Sequence, residues 1–174
     1  MGSNMILTIG ALLLFGTFLS SSNRLMTGNT QIATQNEYNM TALALAQSVI
    51  DEAKMKSFDE NTVSAGVLSP NNLTVPASLK YDGNGEKTPS PDTLSSTGFS
   101  SIKLFDDIDD YNNYTRLVNT PRAEGYNISV SVGYASETYP DSSKGSRTYC
   151  KKMTVTVTSK YISQPLTLMY AFVY

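Results

Sequence analysis

The chain predicts an α+β fold in which a long N-terminal helix packs on a C-terminal antiparallel sheet. Three observations predict it. Met5 to Leu19 is an uncharged run in which eleven of fifteen side chains are apolar. Leu43, Ala46, Ile50 and Ala53 then recur at spacings of three and four, the mark of one apolar helix stripe. The last fifty residues alternate apolar and polar side chains with period two, as half-buried antiparallel strands do.

The helix is expected from about residue 4 to 57, apolar all round in its first third and amphipathic in its last. ALALAQSVIDEAKMK is rich in strong helix formers, and Gln47, Asp51 and Lys54 form the polar face. A kink or unwound patch is least costly at Gly16, Ser20-Ser21-Ser22 or Gly28. Residues 60–125 are loop-rich, with turn signals at Ser69 to Asn72, Asp82 to Gly85 and Pro89 to Asp92. A short strand is expected at Phe99 to Leu104. In YNISVSVGY, residues Tyr126, Ile128, Val130, Val132 and Tyr134 share one face. Met153, Val155 and Val157 do so in MTVTVTS, as do Leu166, Leu168, Tyr170, Phe172 and Tyr174 in LTLMYAFVY. The expected layout is an apolar part of the helix, 1–30, and a head, 31–174. The head holds the amphipathic helix, a loop-rich middle and a sheet over 126–174.

Composition narrows the function. With 13 basic and 15 acidic residues the net charge is −2, and no basic cluster exceeds Lys151–Lys152, so nothing favours nucleic acid. There is no histidine, which removes the usual general base and the commonest zinc ligand. The single cysteine, Cys150, forms no intrachain disulfide and sits in a strand-like run, where it reads as a small buried hydrophobe. No constellation supports an enzyme.

The apolar run is about 22 Å long as a helix, short of the roughly 30 Å of a bilayer core. It has the length of a signal-peptide core, but Met1 to Asn4 carries no Lys or Arg, so retention is expected. Exposing its ten large side chains to water would cost on the order of 15–25 kcal/mol, more than a domain's net stability. They therefore need lipid, their own domain or neighbouring copies as cover.

Among candidate sites, Asp106, Asp107, Asp109 and Asp110 place four carboxylates in five residues, a calcium candidate by charge and oxygen content. The competing reading, a solvated acidic turn with Asp side chains capping backbone amides, is the stronger. Asp82 to Glu86 starts like an EF-hand loop but lacks the remainder and reads as a turn. Asp51–Glu52 and Asp59–Glu60 read as helix-surface charge. Asn39, Asn72, Asn113 and Asn127 each begin an Asn-x-Ser/Thr triplet, frequent by chance in such a chain.

The layout resembles the type IV pilins and the pseudopilins of type II secretion. ALALAQSVIDEAKMKSFDE looks like the helix end of their minor subunits, and FDDIDDYNNY, Phe105 to Tyr114, is similar to an acidic loop found in several of them. The chain departs from the pattern at its start: no basic residue precedes the apolar run, and five residues after Gly2 stands Leu7 where an acid is usual. The resemblance implies a structural subunit of an extracellular, cell-surface filament, with adhesion among the functions such filaments serve. It would wait in the inner membrane before assembly and take copies of itself as partners. Met5, Ile6, Leu7, Ile9, Leu12, Leu13, Leu14, Phe15, Phe18 and Leu19 would form the assembly surface. Leu43, Ala46, Ile50 and Ala53 would pack helix on sheet. No cofactor is expected beyond calcium at the acidic loop. The alternative is a membrane-anchored module that binds a glycan or protein without polymerising.

Overall fold

The computed structural model describes residues 2–81 and 90–174; the turn at Asp82 to Glu86 lies outside the described residues. The first helix, α1, runs unbroken over Gly2–Ala53. The expected weak points at Gly16, Ser20–Ser22 and Gly28 are all helical. Each small residue costs at most about 1 kcal/mol, too little to interrupt a helix already propagating on both sides. α1 stops short of residue 57. Met55 and Lys56 donate to the carbonyls of Glu52 and Ala53 in a tightened last turn, and Ser57 pairs instead with Asp107.

The chain divides into two compact units, residues 1–38 and 39–174. The first unit is helical throughout its described residues. Thr8, Thr17, Thr27, Thr30 and Thr34 each donate a hydroxyl to a carbonyl three or four residues back, so these polar side chains are satisfied within the helix.

In the second unit, the end of α1 covers the sheet with small side chains. Ala42, Ala46, Val49, Ile50 and Ala53 are buried, and three of these five are alanines. Leu43, on the flank of that stripe, is 38% exposed. On the outer face Gln47 and Lys54 both donate to Asp51 Oδ1.

The middle is short pieces held by side-chain caps. α2, Glu60–Val63, starts at Asp59 with a reciprocal capping box between Asp59 and Thr62. Pro70–Asn72 forms a 3-10 turn capped by Ser69, as its turn signal predicts. Phe99 to Leu104 is not a strand: Ser100–Leu104 forms a short helix, α3. Five residues carry too little propensity to decide, and Ser101 is fixed instead by long-range bonds to Asp92 and Glu52. A 3-10 turn at Asp109–Tyr111 closes the acidic loop.

The sheet has five strands in the order β1-β2-β3-β4-β5: Asp92–Thr93, Thr115–Val118, Tyr126–Tyr134, Cys150–Thr158 and Leu166–Val173. The pairs β3–β4 and β4–β5 are antiparallel, as expected. β2, from the segment read as loop-rich, adds an antiparallel neighbour to β3, and the two-residue β1 lies parallel to β2, so the sheet extends beyond 126–174. The inward faces match the period-two reading in β3 and β4, where Tyr126, Ile128, Val130, Val132, Tyr134, Met153, Val155 and Val157 are all buried. Cys150 is buried too, but one residue out of phase with Met153, Val155 and Val157. Edge strand β5 follows the pattern less closely. Phe172 is buried, but Tyr170 is 39% exposed and Tyr174 47%.

Candidate functional site

Two features stand out: an uncovered apolar helix and two ion clusters sealed in the head. In α1, the ten side chains Met5, Ile6, Leu7, Ile9, Leu12, Leu13, Leu14, Phe15, Phe18 and Leu19 are 46–73% exposed. The helix is long and apolar enough to cross a membrane, and none of its most apolar eighteen-residue window is buried. Gly10 and Gly16 have nothing within 4 Å of where a Cβ would stand, so both sides of the helix are open there.

The first ion cluster lies under the end of α1. Glu52 reaches inward to accept from Arg116 Nη2 at 2.7 Å, from the Tyr111 hydroxyl at 2.9 Å and from Ser101 Oγ at 2.6 Å. Arg116 Nε donates to the Tyr114 hydroxyl, which donates to Asp92 Oδ2. The guanidinium lies over the Phe99 ring at 4.0 Å. Burial, and then the Glu52 carboxylate, push the Tyr111 phenol well above its ordinary pKa, so it stays a donor. Through this cluster α1, α3, β1, β2 and the acidic loop share one set of hydrogen bonds.

The second cluster centres on Lys151, whose side chain is wholly buried. Its Nζ donates to Asp59 Oδ2 at 2.7 Å, Asp109 Oδ1 at 2.5 Å and the Phe58 carbonyl at 2.8 Å. The Phe58 and Tyr134 rings flank it at 4.6 and 5.3 Å. Asp59 also accepts from the amides of Asn61 and Thr74, the Thr74 hydroxyl and the Tyr134 hydroxyl. Burial alone would raise its pKa, but Lys151 and those amides outweigh burial and hold Asp59 below the ordinary carboxylate range.

The acidic loop is therefore neither solvated nor four-fold symmetric. Asp107, Asp109 and Asp110 are buried and Asp106 is exposed. Asp110 Oδ2 accepts from the Asp106 amide and Asp107 Oδ1 from the Asp110 amide, so two carboxylates brace the loop's own backbone. Phe105 packs edge-on against Tyr111 and Tyr114, with ring centres 4.7 and 5.2 Å away. Of the four aspartates proposed to hold calcium, Asp106, Asp107 and Asp110 bring one oxygen each within 4.8 Å of one another, while Asp109 turns to Lys151. Among the described residues, Asp107 Oδ2 and Asp109 Oδ2 are buried without a hydrogen-bond partner. Burial, followed by the neighbouring Asp109 and Asp110 charges, pushes Asp107 up to about 8. Burial raises Asp109 to about 7 against the pull of Lys151.

Two sequence readings change here. Glu52 and Asp59, read as helix-surface charge, are buried centres of these clusters. Their cationic partners, Arg116 and Lys151, were not singled out. A signal existed: Arg116 pairs with Ile128 and Lys151 with Tyr134, so both hold inward positions in their strands. For Lys151 the parity is legible, since it stands in phase with Met153, Val155 and Val157.

The fold is thus a long N-terminal helix whose end packs on a mostly antiparallel sheet, an arrangement compatible with that of pilin-like proteins. Comparison with family models, with curated proteins and with solved structures returns no match.

Proposed function

We propose that the chain is a structural subunit, pilin-like in design, that polymerises into an extracellular filament through α1. The observation that carries this reading is the exposure of ten large apolar side chains between Met5 and Leu19. At about 25 cal/mol per Å² of apolar surface, leaving them wet is too costly to be the working state. Copies of the same segment, packed side by side, would remove that surface from water. Repetition of one heterologous contact that does not close generates an open helical array. Before assembly the same segment would sit in the inner membrane, where the self-satisfied threonine hydroxyls add little penalty. Gly10 and Gly16 would let neighbouring helices approach closely. The head's chemistry supports a structural role over a catalytic one, because Glu52, Arg116, Asp59 and Lys151 are engaged with one another in its interior.

The test is electron microscopy of assembled material from the full chain, with a Leu13→Asp variant alongside. The expected result is filaments with helix density at the axis, lost in the variant while the head keeps its thermal transition. Filaments that persist in the variant would remove α1 from the core. A monodisperse, detergent-dependent species from the unsubstituted chain would favour the membrane-anchored binding module.

A further inference from the structure

We propose that Lys151 and Asp109 are joined by an autocatalytic isopeptide bond, with Asp59 as the proton acceptor. The three groups meet in the interior of the head, where Lys151 and Asp59 are wholly buried and Asp109 nearly so. Lys151 Nζ touches one oxygen of each carboxyl. The second oxygen of Asp109 is buried with no hydrogen-bond partner among the described residues, so no hydrogen bond from them holds it against departure. Phe58 and Tyr134 flank the ammonium at 4.6 and 5.3 Å, and the lysine side chain is wholly buried, although a cavity of about 200 Å³ borders Asp109. The arrangement supplies much of what amide formation needs: an amine held against one carboxyl group, a second carboxylate on the same amine, and burial of all three.

The chemistry balances without any co-reactant. Asp59 takes one proton from the Lys151 ammonium, exposing the nitrogen lone pair. That transfer runs against the ion pair and the amides that hold Asp59 below the ordinary carboxylate range, so it accompanies bond formation and does not precede it. Nζ attacks Cγ of Asp109, which reacts as the carboxylic acid that its burial favours. The Nζ–Cγ bond forms and the Cγ–Oδ2 bond breaks. Oδ2, its own proton and a second proton from nitrogen leave as one water, and Asp59 retains the first. Nothing is oxidised or reduced. The product ties the acidic loop to β4.

Tryptic peptide mapping of the full chain, purified in detergent and shown to be folded by a cooperative thermal transition, decides the matter. Trypsin does not cut after an acylated lysine. The expected product is a branched peptide joining Leu104–Arg116 to Thr148–Lys152, one water lighter than the sum of its parts. An Asp59→Asn variant that folds should yield the linear peptides instead. Asp109→Asn should still yield the branched peptide, now by loss of ammonia and with the same mass as from the unsubstituted chain. Linear peptides alone from the folded, unsubstituted chain overturn the proposal and leave Lys151 in an ion pair. Full branching in Asp59→Asn removes Asp59 from the mechanism.

Discussion

Asp107→Asn is expected to stabilise the head above pH 8 and to flatten its dependence on pH. Asp107 is 1% exposed, and its Oδ2 has no partner. Its pKa rises from 3.8 to about 8, chiefly through burial and then through Asp109 and Asp110. The sign follows from proton linkage. Between about pH 4 and 8 the folded chain holds a proton that the unfolded chain has released, so stability falls as pH rises through that window. Four units at about 1.4 kcal/mol each set an upper bound near 6 kcal/mol. Asp107 and Asp109 border a cavity of about 200 Å³ with Thr74, Ser78 and Lys80. Water entering there relaxes part of the cost, which leaves about 2–3 kcal/mol as the working figure. Asparagine removes the titration yet keeps an oxygen for the Asp110 amide. Thermal unfolding at pH 5 and pH 8.5 should show near-equal stability at the lower value and a higher midpoint for the variant at the upper. With roughly 2–4 °C per kcal/mol, the gap is about 4–12 °C. A variant less stable than the parent at pH 8.5 would refute the reasoning. So would a parent chain whose stability rises over this range, or one that calcium stabilises only while Asp107 is present, since Asp107 would then be a ligand.

Two further predictions concern the core. Glu52→Ala strands Arg116 inside the head and should cost about 3–5 kcal/mol in denaturant unfolding, whereas a helix-surface carboxylate would cost under 1 kcal/mol. Ile50→Ala opens a void where α1 meets the sheet and should cost about 2–5 kcal/mol, while Leu43→Ala, on the exposed flank, should cost distinctly less.

Much of this fold is legible in sequence because it depends on periodicity. β3 repeats one inward-outward choice over nine residues and β4 does so from Met153 to Val157, and the structure returns those choices, with Cys150 buried out of phase at the start of β4. α1 is legible for the same reason, and its lack of a kink reflects cooperativity that local reading at Gly16 or the serines undervalues. The edge strand β5 is read less well. Alternation reports which side chains could face a core, not whether anything covers them, and Tyr170 and Tyr174 remain partly exposed. Phe99 to Leu104 fails for a different reason. Its conformation is set by Ser101 bonding to Asp92 and Glu52, 9 and 49 residues away.

The acidic loop marks the boundary most clearly. Sequence alone determined that four carboxylates crowd five residues, that the helix carries an uncharged apolar run needing cover, and that strands close the chain. Charge count and periodicity are local properties, so they survive without coordinates. Asp side chains capping the loop's own amides, over three and four residues, belong to the local reading. Only tertiary structure decided that Asp109 faces Lys151 and that Glu52 and Asp59 point inward. A carboxylate's character depends on what surrounds it, and Lys151 approaches Asp59 from 92 residues along the chain. That proximity is a product of folding, and no local pattern encodes it.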